Sequence, residues 1–202
     1  MKSTFTTLAF LLAFAFSAIG QQTASLKPYL LANGNAKILG TSSIQDWQCA
    51  TTELSGDARM LTFGDELISL REVRIKIPVA SLKSEHPVMD KNTHASLRAE
   101  TNPNITFVMT EVLSMQFTDG QYTLMTRGRL SVAGATRIID LPVQGFRQGG
   151  KRLVFQGSYR LDMIDYGIKP PAIAFGVIRT DEVVTIEFHA AFEQVEAPQA
   201  MN

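Results

Sequence analysis

The chain has 202 residues, 45% hydrophobic, 19% charged and 8% aromatic, with 19 Lys+Arg against 19 Asp+Glu. That composition suits one globular domain with a sizeable core and excludes disorder and collagen. With no net charge and no basic run, the footprint of a nucleic-acid binder is missing, and no nucleic-acid partner is expected.

The first segment, MKSTFTTLAFLLAFAFSAIG (Met1 to Gly20), is patterned for export. Lys2 supplies the positive start, Leu8 to Phe16 the apolar run, and Ala18 with Gly20 the small residues of a cleavage site. The mature domain is therefore expected to start near Gln21 and to occupy 21–202. The apolar run falls short of the about 20 residues that cross a bilayer, so no stable membrane span is expected. No Cys directly follows it to accept a lipid. The periplasm is the expected destination, with release outside the cell left open. Cys49 is the only cysteine; it is either buried and inert, the favoured reading, or free for an intermolecular disulfide. A homodimer is left open.

Beyond the leader, a period of two runs through the chain. Ala36 to Gly40 and Trp47 to Leu61 are strand-like, the second interrupted by Gly56. From Arg71 to Val79, the apolar Val73, Ile75, Ile77 and Val79 alternate with Glu72, Arg74 and Lys76, the pattern of a half-buried strand. Asp90 to Glu100 has good helix formers, with Asp90 placed to cap the amino end and Leu97 as one apolar contact. After the Asn102-Pro103-Asn104 loop, Ile105 to Met115 and the alternating Tyr122, Leu124, Gly128, Leu130 and Val132 flank Asp119-Gly120, a hairpin signal. Ile139, Leu141 and Val143 continue the pattern. Past Gly149-Gly150 it resumes as Leu153, Phe155, Gly157, Tyr159 and Leu161, and it ends with Val184, Ile186, Phe188, Ala190 and Phe192. About eight strands and one short helix predict an all-β, antiparallel sandwich or closed barrel, closure being favoured because it removes exposed edges.

Residues that could do chemistry are sparse. His86, His94 and His189 form no metal-ligand spacing, so no metal is expected. His94 and Asp90, four apart, would share a helix face as a solvated pair. No Gly-x-Ser-x-Gly elbow occurs, Cys49 has no His near it in sequence, and no catalytic residues are assigned. Asp46-Trp47 and Asp165-Tyr166-Gly167 are the polar-aromatic spots to watch. Their Asp side chains could fix loops by accepting backbone N–H groups, or sit with Leu97 at a cavity mouth.

Four ordered segments carry a family resemblance: GTSSIQDW (Gly40 to Trp47), NPNITF (Asn102 to Phe107), GRLSVAGATR (Gly128 to Arg137) and DYGIKPP (Asp165 to Pro171). Together they resemble the YceI-like family of secreted bacterial proteins, over roughly Leu26 to Phe192. Gln45 stands where many members carry His. The resemblance implies an antiparallel eight-stranded lipocalin-like barrel with one short helix. It also implies a non-enzymatic role, with a polyisoprenoid, an isoprenoid quinone or a similar amphiphile in an apolar tunnel and no other cofactor.

An eight-stranded barrel is just wide enough for packed side chains or one slender ligand. The tunnel candidates are Phe107, Met109, Leu124, Gly128, Leu130, Leu153, Phe155, Gly157, Tyr159, Ile186 and Phe188, the slim Gly128 and Gly157 facing bulky Phe rings. The mouth candidates are Asp46, Trp47, Leu97, Asp165 and Tyr166. Gly157→Phe is expected to fill the channel while the fold survives. Two other readings stand beside this one: a filled barrel that binds another protein through Ala80 to Glu100 and Met163 to Gly176, and an enzyme using Asp46 or Asp165 as acid or base.

Overall fold

Strand formation follows the alternation. In the strand Gln121–Val132, Tyr122, Leu124, Thr126, Gly128, Leu130 and Val132 are buried, while Gln121, Thr123 and Arg129 are exposed. One buried face per strand fixes register, because a one-residue slip would turn the whole apolar set outward. The computed structural model describes residues 23–173 and 178–196. The leader and its cleavage site lie outside the described residues, as do part of the Met163 to Gly176 loop and the end of the tail.

In chain order the strands are β1 (Ser25–Gly40), β2 (Trp47–Thr51), β3 (Ser55–Phe63), β4 (Glu66–Pro78), β5 (Asn104–Thr118), β6 (Gln121–Val132), β7 (Ala135–Gln148), β8 (Arg152–Asp162), β9 (Ala172–Ile173), β10 (Ile178–Arg179) and β11 (Val183–Gln194), with one helix, α1 (Pro87–Ser96). The sheet runs β11-β8-β7-β6-β5-β4-β3-β1, and β1 pairs back onto β11, which closes it. The result is an eight-stranded antiparallel barrel. The short β2 pairs on β1 at one end, and β9 with β10 forms a separate hairpin.

Two hairpins turn through left-handed pairs. Asp119 (φ 53) with Gly120 (φ 80) joins β5 to β6, and Ala133 (φ 50) with Gly134 (φ 86) joins β6 to β7. Positive φ at both central residues matches the twist of the flanking strands. The stretch from Trp47 to Leu61, expected as one strand, is two. Thr51 Oγ1 accepts the Glu53 N–H at 2.9 Å and donates to Ser81 Oγ at 2.8 Å, and β2 stops there.

The helix starts three residues earlier than the sequence suggested, with Pro87 in its first turn. A Pro suits that position, where its missing N–H costs no helical bond. Asp90 is therefore inside the helix and does not cap it. Its Oδ1 accepts both the Ser84 N–H at 2.6 Å and the Ser84 hydroxyl at 2.7 Å. Those bonds hold its carboxyl below the usual carboxylate range. His94 Nε2 lies 2.9 Å from the Leu82 carbonyl, so Asp90 and His94 each tie the helix to the preceding loop rather than forming a solvated pair. No residue of Pro87–Ser96 is buried, and the apolar anchor is Leu97 at the C-cap. Arg98 follows with φ 53 and donates to the Ala133 and Gly167 carbonyls at 3.2 and 2.8 Å, binding three loops together at this end.

The wall is laddered unevenly. β4 pairs with β5 only through Arg74–Pro78, and β7 pairs with β8 only through Gln144–Gln148. β3 meets β1 only through Ser25–Leu30. The β7–β8 split is packed by a single 3-10 turn, Ile164–Tyr166, which contacts both strands and buries Tyr166. Where β1 leaves β3, Leu54 lies beside Gly34. At the β4–β5 split, the Leu67 N–H donates to the Tyr122 hydroxyl at 2.9 Å, reaching to β6 in place of a β5 carbonyl.

Candidate functional site

The barrel interior holds an apolar cavity of about 140 Å³. Every wall strand except β2 and the short β9–β10 hairpin contributes, with Ile38, Met60, Ile75, Met109, Leu130, Ile139, Phe155 and Phe188 among the lining side chains. Thr126 and Tyr159 are the lining residues with side-chain hydroxyls. Thr126 Oγ1 donates to the Leu141 carbonyl at 3.1 Å, which leaves its methyl to the void. Burial, and behind it the Asp165 charge, raises the Tyr159 phenol above its ordinary value.

A second apolar cavity of about 60 Å³ lies toward α1, between Trp47, Leu97, Met163, Ile168 and Val184. Ile38, Ile105 and Ile186 line both cavities and form the partition. Outside this end an open polar groove runs past Asp46, Trp47, His86, Arg160 and Asp181.

Of the tunnel candidates, Phe107, Met109, Leu130, Phe155, Tyr159, Ile186 and Phe188 line the main cavity. Leu124 and Leu153 do not; they are fully buried in the packed core. Neither glycine leaves a gap. A Cβ on Gly128 would stand 2.5 Å from the Phe107 ring, and one on Gly157 would stand 2.9 Å from the Phe188 ring and 2.5 Å from the Pro142 carbonyl oxygen. The glycines are seats for the rings, so the void is bounded by aliphatic side chains and ring faces. Ala36 and Ala190, which are not among the tunnel candidates, also border the void with their small side chains.

Among the mouth candidates, Trp47 and Leu97 border the smaller cavity. The Trp47 Nε1–H donates to the Thr41 carbonyl at 3.2 Å. Asp46 is exposed in the polar groove and Asp165 is exposed on its turn. The loops are held by other residues than these Asp side chains. Ser42 Oγ accepts the Ile44 and Gln45 N–H groups, and Asp162 Oδ1 accepts the Ile164 N–H at 2.9 Å. Tyr166 is 2% exposed, and its hydroxyl is buried without a hydrogen-bond partner among the described residues. Burial chiefly, then neighbouring Tyr159, pushes its pKa up to about 12.

Cys49 is fully buried, its Sγ 3.5 Å from Thr93 Oγ1, and burial raises its thiol. That agrees with the inert reading. Among the described residues no group of three or more His, Cys, Asp or Glu could hold a metal ion, and no helix is long and apolar enough to cross a membrane.

A closed eight-stranded antiparallel barrel around an apolar interior void defines the lipocalin-like class of architecture. The YceI-like domain matches residues 35–192, and the chain belongs to that family. Curated relatives include UPF0312 proteins of Pseudomonas aeruginosa (strain LESB58), 30% identical over 115 residues, and of Azotobacter vinelandii, 30% identical over 105 residues. These matches cover 54% and 48% of this chain and only 58% and 53% of the relatives, so the chain spans little more than half their length. Solved structures share the fold. A polyisoprenoid binding domain from Saccharophagus degradans superposes with TM-score 0.64 at 17% identity, covering 85% of this chain and all of that one. Burkholderia cenocepacia BcnA gives 0.62 at 16% identity, over 78% of this chain and 95% of that one. The Campylobacter jejuni YCEI protein gives 0.54 at 13% identity, over 98% of this chain and all of that one.

Proposed function

We propose that this is an exported, non-catalytic binding protein that holds the end of a polyisoprenoid chain, as in an isoprenoid quinone or polyprenol, inside the barrel for carriage or storage. The observation that carries the reading is the 140 Å³ apolar cavity whose Thr126 hydroxyl is already bonded to the wall. A site of that kind offers a hydrocarbon burial against an apolar wall whose buried Thr126 hydroxyl needs no partner from the ligand. The fold shared with a polyisoprenoid binding domain supports the same ligand class. The leader pattern of Met1 to Gly20 supports export.

Size limits what the cavity can contribute. It is close to the roughly 150 Å³ engineered apolar cavity that takes up benzene, which is room for about one five-carbon isoprene unit. Burying five carbons gives about 4 kcal/mol, or roughly millimolar affinity. Tight binding therefore needs further carbons of the chain to be covered elsewhere on the protein.

Trp47, the only tryptophan, borders the smaller cavity and not the main one, so binding is read by equilibrium dialysis rather than by its emission. Titration with geranylgeraniol is expected to saturate at one ligand per chain, with tighter binding than prenol, its single-unit analogue. A flat titration for both alcohols would refute the reading.

A further inference from the structure

The barrel has three places where neighbouring wall strands part, and at one of them an inward-facing aromatic side chain is more than half exposed. On β5, Val112 stands opposite Thr126, Met115 opposite Leu124, and Phe117 opposite Tyr122. Residues directly opposite in an antiparallel pair project from the same face. Thr126, Leu124 and Tyr122 are buried inside the barrel, so Val112, Met115 and Phe117 face inward as well. Yet Val112 and Met115 are only half-buried, and Phe117 is 53% exposed. The reason is the pairing: β4 reaches β5 only as far as Arg74↔Val108, so the β5 segment beyond has no strand in front of it. Two register shifts interrupt β5 here, between Met109 and Glu111 and between Val112 and Ser114. The β7–β8 split is packed by buried Tyr166, while at the β4–β5 split the buried Tyr122 crosses at the far end, where its hydroxyl takes the Leu67 N–H.

The slot begins where the lining of the void ends. Leu70 and Val73 of β4, and Met109 and Thr126 across from them, line the main cavity, and Val112 is the next inward residue of β5 after Met109. A row of inward apolar side chains on β5 thus runs from the cavity-lining Met109 through Val112 and Met115 to the exposed Phe117. At the α1 end the smaller cavity is roofed by Leu97, Met163 and Ile168, at most 8% exposed.

Resting on the binding function proposed above, we infer that the slot between β4 and β5, lined by Val112, Met115 and Phe117, is the portal through which the chain leaves the barrel. The isoprene units beyond the first lie along it. The cavity has room for about one unit, so a longer chain has to emerge, and this is where a cavity-lining strand carries on to an uncovered apolar side chain.

Chain length separates this inference from the reading beneath it. Binding of prenol, geraniol and geranylgeraniol is compared for the full mature chain and for Met115→Lys, Phe117→Lys and, at the opposite end, Ser96→Phe. Lysine is readily carried by strand edges, and retained prenol binding shows that each variant has folded. The slot variants are expected to keep prenol affinity within about twofold and to lose about tenfold or more for geranylgeraniol. Ser96→Phe is expected to leave the length dependence as in the unmodified chain. If prenol and geranylgeraniol bind the unmodified chain and both slot variants preserve their affinity ratio, or if Ser96→Phe abolishes it, the portal is not here. Failure of the unmodified chain to bind any of the alcohols would instead overturn the binding function itself.

Discussion

Ala190→Leu is expected to weaken geranylgeraniol binding about a thousandfold while the barrel stays folded. Ala190 is 4% exposed and borders the main cavity. It lies on β11 opposite Gly34 of β1 and Phe155 of β8. Three added carbons projecting into a 140 Å³ void leave no room for an isoprene unit. The binding lost is that of about five buried carbons, near 4 kcal/mol, which is about three decades in Kd. Enlarging a side chain in a filled core usually costs about 1–3 kcal/mol in strain. Here the new carbons enter empty space and bury apolar surface, worth up to about 2 kcal/mol, so the thermal midpoint should stay or rise. A titration beside a melting curve checks both halves. Undiminished binding by a folded Ala190→Leu protein would place the chain outside this cavity.

The second large effect falls on stability. Read from sequence, Gly157 is a natural place to fill a tunnel, and the structure says otherwise. Gln144↔Gln156 is the last laddered pair before β7 and β8 separate, and there the Pro142 carbonyl oxygen comes within 2.5 Å of where a Cβ on Gly157 would be. The Phe188 ring fills the inner side at 2.9 Å. A carbonyl in the wall cannot rotate aside as a flexible side chain can, so Gly157→Ala already should cost about 1–3 kcal/mol. Gly157→Phe should cost more than that and yield little folded protein. Gly150→Ala is the control: a Cβ there meets nothing within 4 Å, and its effect should stay within about 0.5 kcal/mol. Denaturant midpoints of the three variants test the contrast. A Gly157→Phe protein as stable as the unmodified chain would show that the barrel wall yields where it looks rigid.

The parts of the molecule that could be read in advance are those where one residue type at one position decides the outcome. Every second residue of β6 is buried from Tyr122 to Val132, and Asp119-Gly120 has the backbone its composition calls for. β1 was legible only from Ala36, because Pro28 and Asn33-Gly34-Asn35 look like turn residues although Ser25–Gly40 is one strand with a register shift between Leu31 and Asn33. That strand is held by β11, β3 and β2 together, so its neighbours override local preference. The Ala133-Gly134 hairpin carries a weaker signal, Ala being uncommon at a left-handed turn position. Asp90 looked like a cap because its type suits one, whereas Pro87 sets the start and frees Asp90 to bind Ser84.

For the cavity, alternation identified which faces point inward but not which inward residues border a void. Leu124 and Leu153 have the same pattern as Leu130 and Phe155, and only the latter two line it. Gly128 and Gly157 read as empty space because no sequence rule says that the Phe107 and Phe188 rings fold over them. The β4–β5 slot is a property of pairing lengths, fixed by where β4 stops pairing with β5, and alternation carries no trace of it.

Whether the barrel carries a hydrocarbon chain is read by native mass spectrometry of the protein taken gently from the cells that make it, followed by organic extraction. A one-to-one complex that releases an isoprenoid quinone or polyprenol is the expected result. Protein that arrives empty and takes up neither compound when each is added would contradict it.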